Sequence, residues 1–397
     1  MTPSPPSPAA PRVLFVNRMA ALERGGGETF DLEMARALAA RGLSVSFLTS
    51  APLFRPAPCP LPPAFRPVRL RNPWLRRFPW DKVRGGWRLR DAEFTLFEWR
   101  AARWILRHAA AFDLVQICEL PNLVRFLKRA RCPLPLSLRL TAPNYYDPRG
   151  GLPLADLLIA SGTSIEALRA RGFPDIRDIP NGVDTDRFRP GTNPAFRADR
   201  GIPPDAFVTL YAARFQAFKN HALLLDAFAL LHRDLPTARL LLAGSGPLLP
   251  RAKKQAETLG ISKNVLFLGD VPHDDLPAIC RAADLCAITS DYESFCFSAI
   301  EAMATGLPVL STDCGWVPRL VSGGYGEVVP RPAPGAPTDP AAYAAAWRRL
   351  ARDPETRRAM GAAARAKTLA NYTWTASAAR LHALYLSLLQ KSSATRP

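Results

Sequence analysis

Short apolar runs alternate with amphipathic helical segments along most of this 397-residue chain. In the second half, segments with helical periodicity separate the runs AFVTLYAARF, ARLLLAGSGP, NVLFLGDV and DLCAITS. Parallel strands need a crossover connection, usually a helix, so this rhythm predicts parallel sheets. The first half has the same rhythm from RVLFVN (12–17) to DLLIASGTSIEALRARGF (156–173), in which Thr163 and Glu166 have the spacing of a helix capping box. We therefore expect an α/β protein with two doubly wound domains.

Local composition predicts the domain limits. Residues 1–10 are rich in proline and have neither a basic start nor an apolar core, so we expect a disordered tail and not a signal peptide. The first domain is expected at 11–182, and the Pro- and Gly-containing segment IPNGVDTDRFRPG leads into a second domain at 183–370. A terminal helix is expected at 371–392, packed back on the first domain through a stripe of Leu381, Leu384, Tyr385 and Leu388.

Composition excludes several classes of protein. The chain has no run of 18 apolar residues, so a membrane-spanning helix is not predicted. Its seven cysteines are scattered and include no CxxC pair, so we expect neither a metal site nor a disulfide framework, and a reducing, cytoplasmic location. The net charge of +18 predicts an anionic partner. An arginine-rich composition with abundant alanine and proline is equally what a GC-rich genome produces, so both explanations stay open.

Basic and aromatic residues are concentrated between residues 66 and 107. This segment has twelve basic and four acidic residues, and five of the eight tryptophans (74, 80, 87, 99 and 104). Such a mixture suits the surface of an anionic membrane, at the inner face of which the protein would be peripheral. The helical stripe Phe94, Phe97, Ala101, Trp104 and His108 is equally consistent with core packing. Nucleic acid is not expected as a partner, because no nucleic-acid motif accompanies the charge.

Candidate ligand residues follow the predicted strands, since open parallel sheets bind ligands at the carboxyl ends of their strands. Arg214 and Lys219 follow one strand and lie near a helix start, an arrangement that suits a diphosphate. Each is also consistent with an ordinary surface charge. Glycines after other strands would let the backbone approach a ligand, although the triple glycine also fits a simple tight turn; these are Gly25, Gly26, Gly27, Gly244 and Gly246.

The stretch from Thr289 to Leu310, TSDYESFCFSAIEAMATGLPVL, is the most informative segment. Its order predicts strand end, loop, helix, glycine stop and strand. Glu293 lies in the loop before the helix, and Glu301 follows after seven intervening residues. A helix N-terminus suits phosphate because of its free N–H groups and its dipole. Two carboxylates two turns apart could then contact different parts of one elongated ligand.

Together these segments resemble the retaining glycosyltransferases of family 4, which have the GT-B fold. The resemblance covers nearly the whole chain: GGGETFDLEMARALAARG, DLLIASGTSIEALRARGF with IPNGVDTDRFRP, ARFQAFKNHALLLDAF, LLLAGSGP and ESFCFSAIEAMATGLPVLSTD, which contains the E-x7-E motif. It implies two Rossmann-like domains that face each other across a cleft. It also implies a nucleotide-sugar donor as co-substrate, a glycan or lipid-linked acceptor, no further cofactor and no metal.

The resemblance also implies roles for single residues. Arg214 and Lys219 would bind the donor diphosphate, while Glu293 would contact the sugar and Glu301 the ribose. The glycine loop of the first domain would close over the phosphates. The loop residues Ser294, Phe295 and Cys296 would line the donor site.

Two positions depart from the family pattern. Thr141, a candidate sugar contact, stands where many members have a histidine, and Cys296 replaces the second glycine of the usual E-G-F-G.

From the resemblance as a whole we expect a retaining glycosyltransferase of cell-surface polysaccharide or glycolipid synthesis. The alternative is a nucleotide-sugar-binding protein whose transferase activity is lost or altered.

Overall fold

The computed structural model describes residues 10–22, 25–53, 59, 61–72, 86–141, 147, 149–333 and 335–394, with only the backbone for 86–90. The tail predicted at 1–10 lies almost wholly outside this range. The chain forms two compact units, one of Met1–Pro180 with Trp374–Pro397 and the other of Asn181–Thr373. The sequence had placed these limits at 182 and 370.

In the described part of the first unit, seven strands form one parallel sheet in the order β3-β2-β1-β4-β5-β6-β7. The order reverses between β1 and β4, so their connections leave on opposite sides, as in doubly wound folds. The elements are β1 (Arg12–Val16), α1 (Gly26–Ala40), β2 (Ser44–Pro52), β3 (Val68–Asn72), α2 (Gly86–Arg107), β4 (Leu114–Cys118), α3 (Pro121–Arg129), β5 (Leu136–Leu140), β6 (Leu157–Ala160), α4 (Thr163–Ala170), β7 (Arg177–Asp178) and α13 (Trp374–Ala394).

The second unit is built in the same way. Its described residues contain six parallel strands in the order β10-β9-β8-β11-β12-β13, which reverses between β8 and β11. The elements are α5 (Pro194–Asp199), β8 (Val208–Ala212), α6 (His221–Asp234), β9 (Arg239–Ala243), α7 (Leu249–Thr258), β10 (Val265–Gly269), α8 (Leu276–Cys280), β11 (Leu285–Ile288), α9 (Phe297–Ala304), β12 (Val309–Thr312), α10 (Val317–Val321), β13 (Gly326–Val329), α11 (Pro340–Arg352) and α12 (Pro354–Asn371).

Helices cover both faces of the second sheet, and this explains the apolar runs of its strands. Successive side chains of a strand point to opposite faces. In β9, Leu241 therefore belongs to one buried cluster, while Leu240 and Leu242 belong to the other. The order of strand, loop, helix, glycine and strand predicted for Thr289–Leu310 is confirmed.

The terminal helix α13 belongs to the first unit. Leu381, Tyr385 and Leu388 of its predicted stripe are buried. The Tyr385 hydroxyl donates to Oε1 of Gln116 in β4 at 2.7 Å, and the Ser377 hydroxyl donates to the Pro180 carbonyl at 2.8 Å. Buried polar contacts thus hold the helix near its start and at its middle.

Helix α2 shows which part of the basic, aromatic segment is core. Phe97 and Ala101 are fully buried and Trp104 is half-buried, so core packing is confirmed for the middle of the predicted stripe. The stripe is wrong at its ends: Phe94 is 37% exposed, and His108 is exposed beyond the last helical residue. Much of the predicted membrane segment, residues 73–85, lies outside the described residues.

Local features escaped the sequence patterns. Helix α4 begins at Thr163 with Gly162 as its N-cap, so the capping box predicted from Thr163 is wrong. The short elements β3, α3 and α10 were not predicted from the sequence. No helix in the described ranges combines the length and apolar character that crossing a membrane requires.

Burial of Glu98 makes the stability of the first unit depend on pH. Glu98 lies on the inner side of α2 and accepts a 2.7 Å hydrogen bond from Asn122 Nδ2 at the start of α3. Burial is the main cause that raises the pKa of Glu98 to about 7. The folded state therefore binds this proton more tightly than the unfolded state does. This tighter proton binding stabilises the folded state fully at a pH below the pKa that Glu98 has in the unfolded chain. The stabilisation is lost as pH rises through about 7, the pKa of Glu98 in the folded state.

We predict that Glu98→Gln, which mimics the protonated acid, becomes more stable than the wild type as pH rises. From pH 4.5 to pH 8, the difference in free energy of unfolding should grow by about 3 kcal/mol, the equivalent of the pKa shift. Urea unfolding at each pH measures it, with the exposed Glu355→Gln as the matched control. Parallel stability curves for Glu98→Gln and the wild type would contradict the assignment.

Candidate functional site

Lys219 and Glu293 meet at the carboxyl edge of the second sheet. Lys219 lies in the turn after β8, and Glu293 in the loop after β11, the two strands between which the order reverses. Lys219 Nζ donates to Glu293 Oε1 at 2.5 Å, and both side chains are largely buried. Such a reversal opens a crevice in which doubly wound proteins bind ligands. The topology thus brings together two predicted site residues that are distant in sequence.

A hydrogen-bond network holds this pair in place. The Ser290 hydroxyl donates to the same oxygen of Glu293 at 2.6 Å, and the Tyr211 hydroxyl donates to the Lys219 carbonyl at 2.7 Å. The Thr312 hydroxyl donates to the Ser290 carbonyl at 2.7 Å. Lys219 and Ser290 both donate to Oε1 of Glu293. An ammonium has three donors, so Lys219 retains donor capacity as well.

The predicted glycines after β9 pack against the loop that carries Arg214. Arg214 itself is exposed, two residues beyond the end of β8. A Cβ on Gly244 would lie 2.1 Å from the Ala213 carbonyl oxygen, and one on Gly246 would lie 2.6 Å from that of Phe215. Both glycines also have positive φ, 144° and 153°. Their absent side chains let the two loops touch, and a direct contact with a ligand stays a prediction.

The three loop residues before α9 take different environments. Phe295 is buried, with its ring edge-on to Tyr372 at 5.9 Å between centroids, so a ligand could meet only its backbone. Ser294 is half-buried. Cys296 is the N-cap of α9, and its side chain makes no capping hydrogen bond to the helix. These three residues connect Glu293 to Phe297, the first residue of α9.

Cys296 has a backbone conformation that favours glycine. Its φ of 80° is positive, where a Cβ is strained by roughly 1–2 kcal/mol. The buried thiol lies 3.3 Å from the Ser298 hydroxyl, and burial is the main cause that raises its pKa far above the usual range. A protonated thiol is a poor nucleophile, so covalent chemistry at Cys296 is not indicated.

Glu301 has a partner that the sequence did not indicate. His273, in the loop between β10 and α8, contacts Glu301 Oε1 through Nε2 at 2.7 Å. This hydrogen bond is the main cause that raises the pKa of His273. Sequence reasoning assigned no histidine a role, because a lone histidine after a strand has no recognisable motif.

A third loop, after β12, supports Glu293 from its backbone side. The Trp316 N–H donates to the Glu293 carbonyl at 3.0 Å. A Cβ on Gly315 would lie 1.9 Å from the same carbonyl oxygen, so only glycine fits there. The sequence contains a feature from which this contact could have been suspected, because Gly315 follows the strand predicted after Gly306.

In the first unit, the loop after β1 lies over a buried ion pair. Arg139 of β5 contacts Asp31 of α1 at 2.9 Å, and its Nη2 donates to the Gly27 carbonyl at 2.9 Å. A Cβ on Gly27 would lie 3.7 Å from Arg139 Nη2 and from Thr141 Cγ2. The predicted residues Gly27 and Thr141 are therefore neighbours. The sequence feature that could have predicted this buried ion pair is an arginine, Arg139, inside the otherwise apolar run LSLRL.

The other glycines and two carboxylates complete this edge of the first sheet. Gly25 is the N-cap of α1 and Gly26 its first residue, and Glu28 lies in the first turn. Burial is the main cause that raises the pKa of Glu28 and of Glu119, which follows β4. Glu119 also has a positive φ of 56°. Within the described ranges of the chain, no three His, Cys, Asp or Glu side chains are grouped closely enough to hold a metal ion.

Comparison with known proteins identifies the second unit. Residues 192–367, which include Arg214, Lys219, Glu293 and Glu301, match the family model of the glycosyl transferases group 1. This segment of the chain is therefore similar to the group 1 glycosyltransferases. The resemblance inferred from the E-x7-E motif is confirmed for this segment.

A named relative is the D-inositol 3-phosphate glycosyltransferase of Corynebacterium jeikeium. It is 39% identical over 223 residues, which cover 54% of this chain and 52% of the relative. The chain thus spans about half the length of such relatives. The likeness therefore does not extend over the whole protein.

Two solved structures match almost the whole chain. Sucrose-phosphate synthase from Thermosynechococcus elongatus has a TM-score of 0.78 at 24% identity and covers 96% of this chain and all of that one. HepE of Anabaena, solved with UDP and glucose, has a TM-score of 0.71 at 21% identity and covers 95% and 100%. At this identity the likeness shows the fold alone. It confirms the predicted fold class, α/β of the GT-B type with two Rossmann-like, doubly wound domains.

Strain at Cys296 leads to a prediction for the glycosyltransferase domain. Cys296→Gly and Cys296→Ala both remove the thiol, but only glycine adopts positive φ without strain. We expect the glycine variant to be more stable than the alanine variant by about 1–2 kcal/mol. Denaturant unfolding of the two purified variants measures the difference. Equal stability, or a more stable alanine variant, would show that the backbone here is unstrained.

Proposed function

We propose that this protein is a glycosyltransferase that moves a sugar from a nucleotide-sugar donor to an acceptor hydroxyl. The observation that carries the proposal is the contact of Lys219 with Glu293 beside the start of α9, at the switch point of the second sheet. A cation, a helix N-terminus and a carboxylate within one crevice suit a ligand with both a diphosphate and sugar hydroxyls. The match of residues 192–367 to the glycosyltransferase family supports the same ligand class.

The proposed donor lies along this edge of the sheet. Lys219 and Arg214 bind the diphosphate, whose charge also favours the N-terminus of α9. Glu293 accepts hydrogen bonds from the sugar through Oε2, and Glu301 accepts from the ribose. The UDP bound to HepE supports this choice of ligand class.

The proposed reaction retains the configuration of the transferred sugar. The bond between the anomeric carbon and the phosphate oxygen breaks, and a bond to the acceptor oxygen forms on the same face. The acceptor proton moves to the leaving phosphate oxygen, so no protein base is needed. Arg214 and Lys219 stabilise the charge that develops on the departing diphosphate, a role that requires no metal ion.

The proposed acceptor carries a hydroxyl on a polar or anionic framework. The names of relatives suggest an inositol phosphate as the acceptor. The role in polysaccharide or glycolipid synthesis that the family resemblance implies suggests a glycan or a lipid-linked sugar instead. We propose that one of these three classes is the acceptor. The acceptor experiment below distinguishes them.

A second candidate function is nucleotide-sugar binding without transfer. Thr141 occupies the position where the family often has a histidine, and it lies beside the glycine loop through Gly27. Cys296 adds strain at the donor loop. Both observations favour altered chemistry with retained binding, because Lys219, Glu293 and Glu301 are all present.

An assay of nucleoside diphosphate release separates the two functions. The purified protein is offered UDP-, GDP- and ADP-sugars, alone and with an inositol phosphate, a glycan or a lipid-linked acceptor. Release that depends on one acceptor supports transfer. Donor binding without release across the whole acceptor panel would favour the second function, and absence of any donor binding would contradict both.

We predict that Lys219→Met and Glu293→Gln each lower kcat at least about a hundredfold, the scale of losing one key electrostatic contact. Lys219→Met removes the cation that stabilises the leaving group, and Glu293→Gln removes a charge while keeping the side-chain shape. Steady-state kinetics measures the loss. The matched controls are Lys253→Met and Glu257→Gln, which change exposed residues of α7. Near-normal kcat in either site variant would contradict the residue assignment.

We also propose that α2 contributes to binding at an anionic membrane surface. Trp99 is 45% exposed, and the Arg103 guanidinium lies 4.7 Å from the centre of its indole ring. Leu96 is exposed on the same helix. An amphipathic ring paired with a cation suits the headgroup region, where arginines meet lipid phosphates.

We predict that Trp99→Ser combined with Arg103→Gln weakens binding to anionic vesicles at least about tenfold, from one lost charge and one lost apolar side chain. Sedimentation with vesicles of phosphatidylglycerol and phosphatidylcholine measures it. The control pair is Leu369→Ser with Arg358→Gln, which changes an exposed leucine and an exposed arginine of α12. Equal binding by the wild type and the α2 variant would remove this surface from the proposal.

A further inference from the structure

We propose that His273 is a positioning residue that holds the Glu301 carboxylate in the orientation required to bind the donor ribose. The inference rests on the proposed function, because Glu301 is assigned to the ribose only there. It adds a residue outside the E-x7-E motif to the donor site. His273 acts through Glu301 and not on the reacting atoms.

The geometry is a single, well-formed hydrogen bond between two loops of the sheet edge. His273 Nε2 lies 2.7 Å from Glu301 Oε1. A carboxylate only accepts hydrogen bonds, so Nε2 must carry the proton in this contact. With Oε1 engaged, the carboxylate presents Oε2 in a fixed direction, which is the oxygen we assign to the ribose. Glu301 itself is largely buried, with 7% of its surface exposed.

The loop that carries His273 is itself anchored. Arg187 Nη2 donates to the His273 carbonyl at 3.2 Å and to Asp274 Oδ1 at 2.6 Å. The imidazole ring also packs on Phe188, which is fully buried, with 5.4 Å between ring centroids. A side chain supported in this way can fix its partner, which is what precise placement of a ligand-binding group requires.

Charge at this position reinforces the contact. The charged groups that face His273 are Glu301, Arg187 and Asp274, and the hydrogen bond to Glu301 outweighs burial and Arg187 in raising the pKa of His273. The side chain is 51% exposed, so it can exchange protons with solvent. Both protonation states can donate from Nε2, so the contact forms in either state and is stronger when the ring is charged.

The expected effect is on donor binding and not on the chemical step. Loss of the histidine frees the carboxylate to rotate, and this weakens binding equally before and during the reaction. Such a change raises the KM for the donor and leaves kcat nearly unchanged.

The experiment measures binding of UDP, GDP and ADP to the wild type, His273→Leu and His273→Gln by isothermal titration calorimetry. Glutamine keeps an N–H donor near the position of Nε2, so it is the matched rescue variant. For the nucleotide that the wild type binds best, His273→Leu should weaken binding about tenfold, the scale of one hydrogen bond to a charged group. His273→Gln should stay within about threefold of the wild type, because the donor is retained.

The 2′,3′-dideoxy form of the same nucleotide tests the route through the ribose. It has no ribose hydroxyl for Glu301 to bind, so the wild type and His273→Leu should bind it equally, within about twofold. A tenfold loss with this probe as well would show a merely structural role. Wild-type affinity in His273→Leu for the ordinary nucleotide, or a glutamine variant as weak as the leucine variant, would also overturn the inference. If the wild type binds none of the three nucleotides, the donor site of the proposed function fails first and His273 loses its assigned role with it.

Discussion

The reversal of strand order between β8 and β11 is the constraint on which the candidate donor site depends. Strands on the two sides of a reversal send their connections to opposite faces, and this leaves a crevice at their carboxyl ends. Lys219 follows one of these strands and Glu293 the other, so residues far apart in sequence come within 2.5 Å. The opposite charges stabilise each other while no ligand is bound. They are also the two charges to which we assign the diphosphate and the sugar of the proposed donor.

Backbone packing, more than side-chain packing, gives this site its shape. Gly244 and Gly246 lie against the loop of Arg214, and Gly315 lies against the carbonyl of Glu293, at distances that leave no room for a Cβ. Cys296 adopts a glycine-like conformation in the same region. Loops that touch through their backbones have few alternative arrangements. The loop that carries Glu293 is thus held in place by backbone contacts, which do not involve the charged side chains themselves.

The arginines that contribute to the positive charge of the chain lie in two different environments. Two arginines of the first unit are internal: Arg139 pairs with Asp31 beneath the glycine loop, and Arg18 pairs with Glu93. Buried pairs of this kind need mutual neutralisation, because an isolated buried charge is costly. Arg103, in contrast, is exposed beside Trp99. Net charge alone could not separate structural arginines from those available to a partner.

Much of the fold could be read from the sequence alone, because alternating strands and helices leave a periodic signal. The order of elements around Glu293 and Glu301 and the buried stripe of α13 were predictable for this reason. Thr163 was wrong as an N-cap and Phe94 wrong as a core residue, because local spacing does not report which neighbour covers a position. The pairing of His273 with Glu301, of Arg139 with Asp31 and of Gly315 with Glu293 was decided only by the tertiary structure. Each joins segments whose separation in sequence is unrelated to their distance in space, since the order of strands in the sheet sets that distance.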